Sequence, residues 1–173
     1  MRMLIVDPIT NQPVRVDENG ALLTDSLLYT RENLIITATP AALAANDTVF
    51  WLRNNEQNKI LVIDSIRLAL LTADSQVIIH SPVGTTPAGT ALSVQQKDLG
   101  VTPQYDIDAY YDETANTQGT VYDVRFMATG AERALVDRNE PFRIPHGKEW
   151  AFDVVTAQAA GANVSVECHL EEA

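Results

Sequence analysis

The chain has 173 residues, of which 12 are Lys or Arg and 23 are Asp or Glu, so its formal net charge is −11. A basic footprint for phosphate backbones is missing, which argues against nucleic acid as a partner. The longest apolar runs, Ile60 to Ile63 and Leu68 to Leu71, fall far short of the ~18 residues of a membrane span, so a soluble domain without a membrane partner is expected.

Residues 1–26 read differently from the rest. Asp7 and Pro8 follow four apolar residues, too early for the apolar core of a secretory signal, about 7–15 residues long. Pro8 and Pro13 break up the short apolar pieces, and Asp17-Glu-Asn-Gly20 suits a tight turn. We read an N-terminal arm or small hairpin here. Its Met3, Leu4, Ile5 and Val6 form an apolar strand suited to adding onto a partner's sheet edge.

From Leu27 to the end the dominant period is two, the signature of half-buried strands. Strands are expected at 33–38, 48–53 and 59–71. The last of these is apolar on both parities around Asp64-Ser65, which fits either a doubly buried central strand or one bulged at the polar pair. The Ala-rich segment Pro40 to Asp47 predicts one short helical turn, and Gly130 to Val136 is a second weak helical segment. More strands are expected at 76–81 and 90–94.

The stretch Ser81 to Gln104 is rich in Pro and Gly, and Asp112 to Gly119 is polar and loop-like. Ile107 and Ala109 alternate with Asp106, Asp108 and Tyr110, and Tyr122, Val124 and Phe126 with Asp123 and Arg125. Phe142 to Ile144 is another strand. Near the end, Trp150, Phe152 and Val154 share one parity, as do Val164, Val166, Cys168 and Leu170. The small residues of Ala157 to Asn163 between them suggest a hairpin loop. The total is roughly eight to ten strands with little helix, the pattern of an all-β sandwich or barrel over residues 27–173.

Catalytic motifs are scarce. One cysteine excludes an internal disulfide and any CxxC pair, and the histidines His80, His146 and His169 show no local metal spacing. Cys168 and His169 are strand neighbours that point to opposite faces, so Cys168 reads as a buried apolar group. Gly-x-Ser-x-Gly, Gly-x-Gly-x-x-Gly and Walker patterns are absent. No cofactor is indicated, and a non-enzymatic role is expected. Two candidate binding features remain. Tyr105, Tyr110 and Tyr111 border the polar loop as a recognition patch for sugar or protein. Asp106, Asp108 and Asp112 offer hard oxygen ligands to calcium, although the EF-hand spacing is missing.

The stretch Arg143-Ile-Pro-His-Gly-Lys-Glu-Trp-Ala-Phe-Asp-Val-Val155, followed by Asn163-Val-Ser-Val-Glu-Cys-His-Leu-Glu171, resembles the closing hairpin of jelly-roll proteins of tailed-bacteriophage virions. Trp51-Leu-Arg-Asn-Asn55 with Lys59-Ile-Leu-Val-Ile-Asp-Ser-Ile-Arg67, and the loop Gly84-Thr-Thr-Pro-Ala-Gly89, are similar to their paired strands and loops. The resemblance implies a jelly-roll-like sandwich. It also implies a virion accessory protein of the capsid decoration, cement, head-fibre or tail-knob kind, commonly a homotrimer, with phage capsid or tail proteins as partners and no catalytic residues. Such a protein is assembled in the host cytoplasm and resides in the virion. The rival reading is a carbohydrate-binding knob that takes up a host glycan at Tyr105 to Gly119.

Overall fold

The computed structural model describes residues 33–83, 89–96, 105–113, 117–136 and 141–173. The chain divides into two units, Met1–Arg31 and Glu32–Ala173. All of the first lies outside the described residues, and with it the expected arm and its Met3, Leu4, Ile5 and Val6. The loop Gly84-Thr-Thr-Pro-Ala-Gly89 is outside them except for Gly89.

Twelve strands are described: β1 (Leu34–Ala38), β2 (Thr48–Asn54), β3 (Lys59–Leu70), β4 (Ser75–Val83), β5 (Thr90–Ala91), β6 (Gln95–Gln96), β7 (Ile107–Glu113), β8 (Thr117–Met127), β9 (Arg133–Val136), β10 (Phe142–Ile144), β11 (Glu149–Val154) and β12 (Ala162–Glu172). No helix occurs among the described residues. The strands form two antiparallel sheets. One has the order β10-β3-β12-β1-β6, with β9 also on β3, and the other runs β5-β7-β2-β11-β4-β8.

The pairing is nested. The first strand pairs with the last (β1 with β12), the second with the next to last (β2 with β11), β3 with β10 and β9, and β4 with β8. Contacts of β12 with β3 and of β11 with β4 then join these pairs into the two sheets. Folding one long double ribbon around a barrel axis in this way is the jelly roll. Strands β5, β6 and β7 are an addition between β4 and β8, and they extend the two sheets at the β2 and β1 sides.

Strand parity explains the core. Ile36, Leu61, Ile63, Ile66 and Val166 from one sheet meet Phe50, Leu52, Val77, Ile79 and Phe152 from the other in a single buried cluster. Phe152 stacks on Phe50 with ring centroids 5.9 Å apart and meets Trp150 edge-on at 5.7 Å, arrangements that add to the area these rings bury. The β3 strand is bulged at its polar pair. Glu167 of β12 faces Ser65 while Cys168 faces Ile63, so Asp64 is the extra residue.

The two ends of the sandwich are each tied by a buried amide. At one end Asn54 Nδ2 donates to the carbonyls of Lys59 (2.9 Å) and Ile144 (2.8 Å), joining the β2–β3 and β10–β11 arches. At the other, Gln158 is fully buried. Its Oε1 accepts the Thr72 and Ala73 N–H groups and its Nε2 donates to the Ala73 and Thr156 carbonyls.

Four expectations are corrected. Pro40 to Asp47 forms no helical turn. The Pro40 carbonyl accepts from Ala162, and Leu43 exchanges backbone bonds with Gln158, so the groups a helix would use are taken by the β11–β12 connection. Gly130 to Val136 ends in β9, where burial of Leu135 and Val136 beside β3 overrides local propensity. Ala157 to Asn163 is an arch between sheets rather than a hairpin, because β11 and β12 lie in different sheets. Gly161 makes that arch possible: its φ is +77°, and a Cβ there would sit 1.7 Å from the Pro40 carbonyl oxygen. Finally, Asp112 and Glu113 close β7, and Thr117 to Gly119 open β8, so most of the expected polar loop is strand.

Candidate functional site

The sequence-expected residues gather on and before β7. Tyr105 and Tyr111 pack against the core cluster. Tyr110 faces the other way and meets Trp51 edge-on, with centroids 5.5 Å apart. Alternation along the strand therefore divides the tyrosines between two faces. Asp106 is exposed and its N–H donates to Glu56 Oε1 at 2.9 Å. Asp108 Oδ2 accepts from Asn55 Nδ2 at 2.8 Å and lies opposite Arg53, which reaches Glu149 at 3.7 Å. Asp112 takes a left-handed φ of 56°. Among the described residues no three His, Cys, Asp or Glu side chains converge as a metal site, so the structure does not bring Asp106, Asp108 and Asp112 together as ligands.

Two histidine–carboxylate groups emerge that local spacing did not reveal. On the outer face of the β1-containing sheet, Arg143, Val62 and His169 form one row across β10, β3 and β12. His169 Nδ1 is 2.7 Å from Asp64 Oδ2, and its Nε2 is 3.0 Å from Glu171 Oε1, while Arg143 pairs with the other Glu171 oxygen. Carboxylates only accept, so both contacts are hydrogen bonds when both ring nitrogens carry a proton. The bond from His169 holds the Glu171 carboxyl below the ordinary glutamate range; partial burial opposes this and Arg143 reinforces it.

The second group lies on the outer face of the β2-containing sheet. There Tyr110, Trp51, Ala151, His80 and Val121 form a row across five strands, with Ala151 leaving room for the rings on either side. Asp153, beside this row, is 2% exposed. It accepts from Thr48 Oγ1 at 2.6 Å and from Gln118 Nε2 at 2.7 Å. His80 Nε2 stands 3.0 Å from Asp153 Oδ1, close enough for an ion contact, yet its direction is poor and neither ring nitrogen makes an aligned hydrogen bond.

Neither group presents a nucleophile. Thr48 gives its proton to Asp153 rather than to a histidine, the reverse of what an activated hydroxyl requires. Cys168 faces the core while His169 faces outward, and burial, with help from the Asp64 charge, pushes the thiol up to about 12. A thiol so poised is inert. His146 is exposed, in a turn beside Gly147 whose φ is +70°.

The feature that parity left undecided is β8. The alternation of Tyr122, Val124 and Phe126 suits a half-buried strand, but β8 is the last strand of its sheet, and Val124 and Phe126 are 50% and 68% exposed. Tyr122 is the bulged residue opposite β4 and turns to Phe142, 6.0 Å away.

The fold and its surfaces thus define an antiparallel jelly-roll sandwich with an added β5–β7 segment. No protein-family model, curated protein or solved structure matches the chain.

Proposed function

We propose that this chain is a non-enzymatic structural protein of a tailed-bacteriophage virion, of the capsid decoration, cement or head-fibre kind, that binds capsid through its N-terminal arm and self-associates. The observation that carries the reading is the nested jelly-roll pairing with an apolar strand, β8, that has no second partner among the described residues. The segments that resemble virion jelly rolls fall on β2 and β3 and on β10 to β12, the strands that make this pairing. In keeping with it, His169 holds Asp64 and Glu171, Asp153 holds Thr48, and Cys168 is buried. Mass spectrometry of virions purified from the phage that encodes the chain is the test. The chain is expected as a stoichiometric component, and its absence overturns the reading. Deleting residues 1–26 is expected to abolish capsid co-sedimentation while the melting transition persists; retained binding removes the arm from the proposal.

A second reading rests on Tyr110. Its ring, braced by Trp51, shares an outer face with Asp108, Arg53 and Glu149, an aromatic beside planar polar groups such as sugar sites use. Tyr110→Ala is expected to weaken glycan binding by roughly 1 kcal/mol or more if this face is a receptor site. An unchanged glycan-array signal rejects it.

A further inference from the structure

We propose that two copies of this chain pair through their β8 edges, antiparallel and centred on Val124, to make one sheet continuous across a two-fold axis. Strand β8 hydrogen-bonds to β4 on one side, and among the described residues nothing pairs with its other side. Exposed edges are ordinarily blunted by lysine, proline, bulges or charges. The sequence of β8, Thr-Gln-Gly-Thr-Val-Tyr-Asp-Val-Arg-Phe-Met, has no lysine or proline; its bulge falls at Tyr122, before the regular run Asp123 to Met127, and its charges Asp123 and Arg125 are of opposite sign. It presents Val121, Val124 and Phe126 to solvent instead.

The occupant follows from charge. Asp123 and Arg125 face the same side, opposite Ile79 and Val77 of β4, and pair with each other at 2.5 Å. In an antiparallel two-fold pairing about Val124, the residue one step before the centre meets the residue one step after it. Asp123 therefore meets Arg125 of the second copy and Arg125 meets its Asp123, giving a closed ring of four alternating charges. Val124 meets itself, and Phe126 reaches diagonally toward the second Val124. Centring one residue earlier sets Asp123 against Asp123, and one residue later sets Arg125 against Arg125. Of these three registers, the one centred on Val124 matches opposite charges and apolar groups together. Forming it costs one existing bond, from the Val124 N–H to Asp123 Oδ1 at 2.8 Å, which is released as Asp123 turns to the other copy.

This inference goes beyond the virion reading and stands apart from it. A dimer that binds no capsid leaves the pairing intact, whereas capsid binding by a monomer or a trimer leaves the virion reading and overturns the pairing.

The test is the native mass of the full chain by light scattering across a dilution series, with two charge-reversed variants. The wild type is expected at twice 19.0 kDa. Arg125→Glu and Asp123→Arg are each expected to be monomeric, since each makes the ring single-signed, with dissociation constants weakened at least roughly tenfold. An equimolar mixture of the two restores alternating charge and is expected to regain the dimer mass. A wild-type monomer or trimer, an undiminished dimer in either variant, or a mixture that stays monomeric overturns the proposal. Val124→Cys covers the case of a reversed variant that fails to fold. The native Cys168 is buried, so oxidation is expected to give a disulfide-linked dimer through the self-facing position, and failure to cross-link overturns the register.

Discussion

Asp64 reaches His169, across 105 positions of sequence, because it is the residue left over in the β3–β12 ladder. Alternation from the buried Ile63 turns Asp64 outward to the imidazole, and the extra residue then lets Ile66, Leu68 and Leu70 face the core as Leu61 and Ile63 do. A bulge that looks like a defect in pairing thus places one carboxylate outside while keeping the core face apolar.

Removing that carboxylate leaves His169, 1% exposed, with Glu171 alone. Asp64→Ala is expected to lower unfolding stability by about 1–3 kcal/mol, the cost of removing the carboxylate partner of a buried imidazole. Urea unfolding at neutral pH measures it, and a loss near zero would show that the pair contributes nothing net.

Acid should act through Glu171. Its folded pKa is held below the ordinary value, chiefly by the His169 bond, so its stabilising contribution is complete above the unfolded glutamate range and is lost as pH falls through the lower folded value. Glu171→Gln is expected to be less stable than the wild type at neutral pH and to converge with it in acid. Thermal melting across that range reads the convergence; parallel curves would contradict it.

At the alkaline end the relevant group is Cys168. Its folded pKa is raised from 9.0 to about 12, so the neutral thiol's contribution is complete below about 9 and lost between 9 and 12 as the unfolded state ionises first. The thiol is expected to resist a disulfide reagent in the native protein at pH 8 and to react fully in denaturant. Rapid native labelling would place it outside the core.

Gln158 supports one end of the sandwich with four bonds to backbone. Gln158→Ala removes four bonds made by a fully buried side chain and leaves the part-buried Thr72 and Ala73 N–H groups without it, and a loss of about 1–3 kcal/mol is expected. Denaturant unfolding is the check, with hydrogen exchange at Thr72 and Ala73 as the local one.

Much of this architecture was legible in the residues, and the reasons it stopped being legible are specific. The parity of Val164, Val166 and Cys168 identified β12 and the buried thiol, and the break at Asp64-Ser65 allowed for a bulge. Partner identity was not readable, since Asp64 and His169 meet through a register that no local pattern encodes. Nor does a period of two say what covers a face, which is why Tyr122, Val124 and Phe126 suggested burial that β8, as an edge, does not supply. Tyr110 and Tyr111 looked like a patch because adjacency in sequence is not adjacency on a strand. The arch at Ala157 to Asn163 looked like a hairpin because loop composition does not reveal whether the next strand joins the same sheet.

Nested pairing also sets a timetable. Strand β1 ends at Ala38 and its partner β12 ends at Glu172, so at ribosomal rates of ~5–20 residues per second the first strand waits roughly 7–27 s for the last. During that interval the apolar faces of β1 through β4 lack the β11 and β12 strands that cover their edges in the finished sheets. The newborn chain is thus most exposed to wrong partners while it is being made, and its folding depends on whatever shields those strands until the eleven residues of β12 arrive.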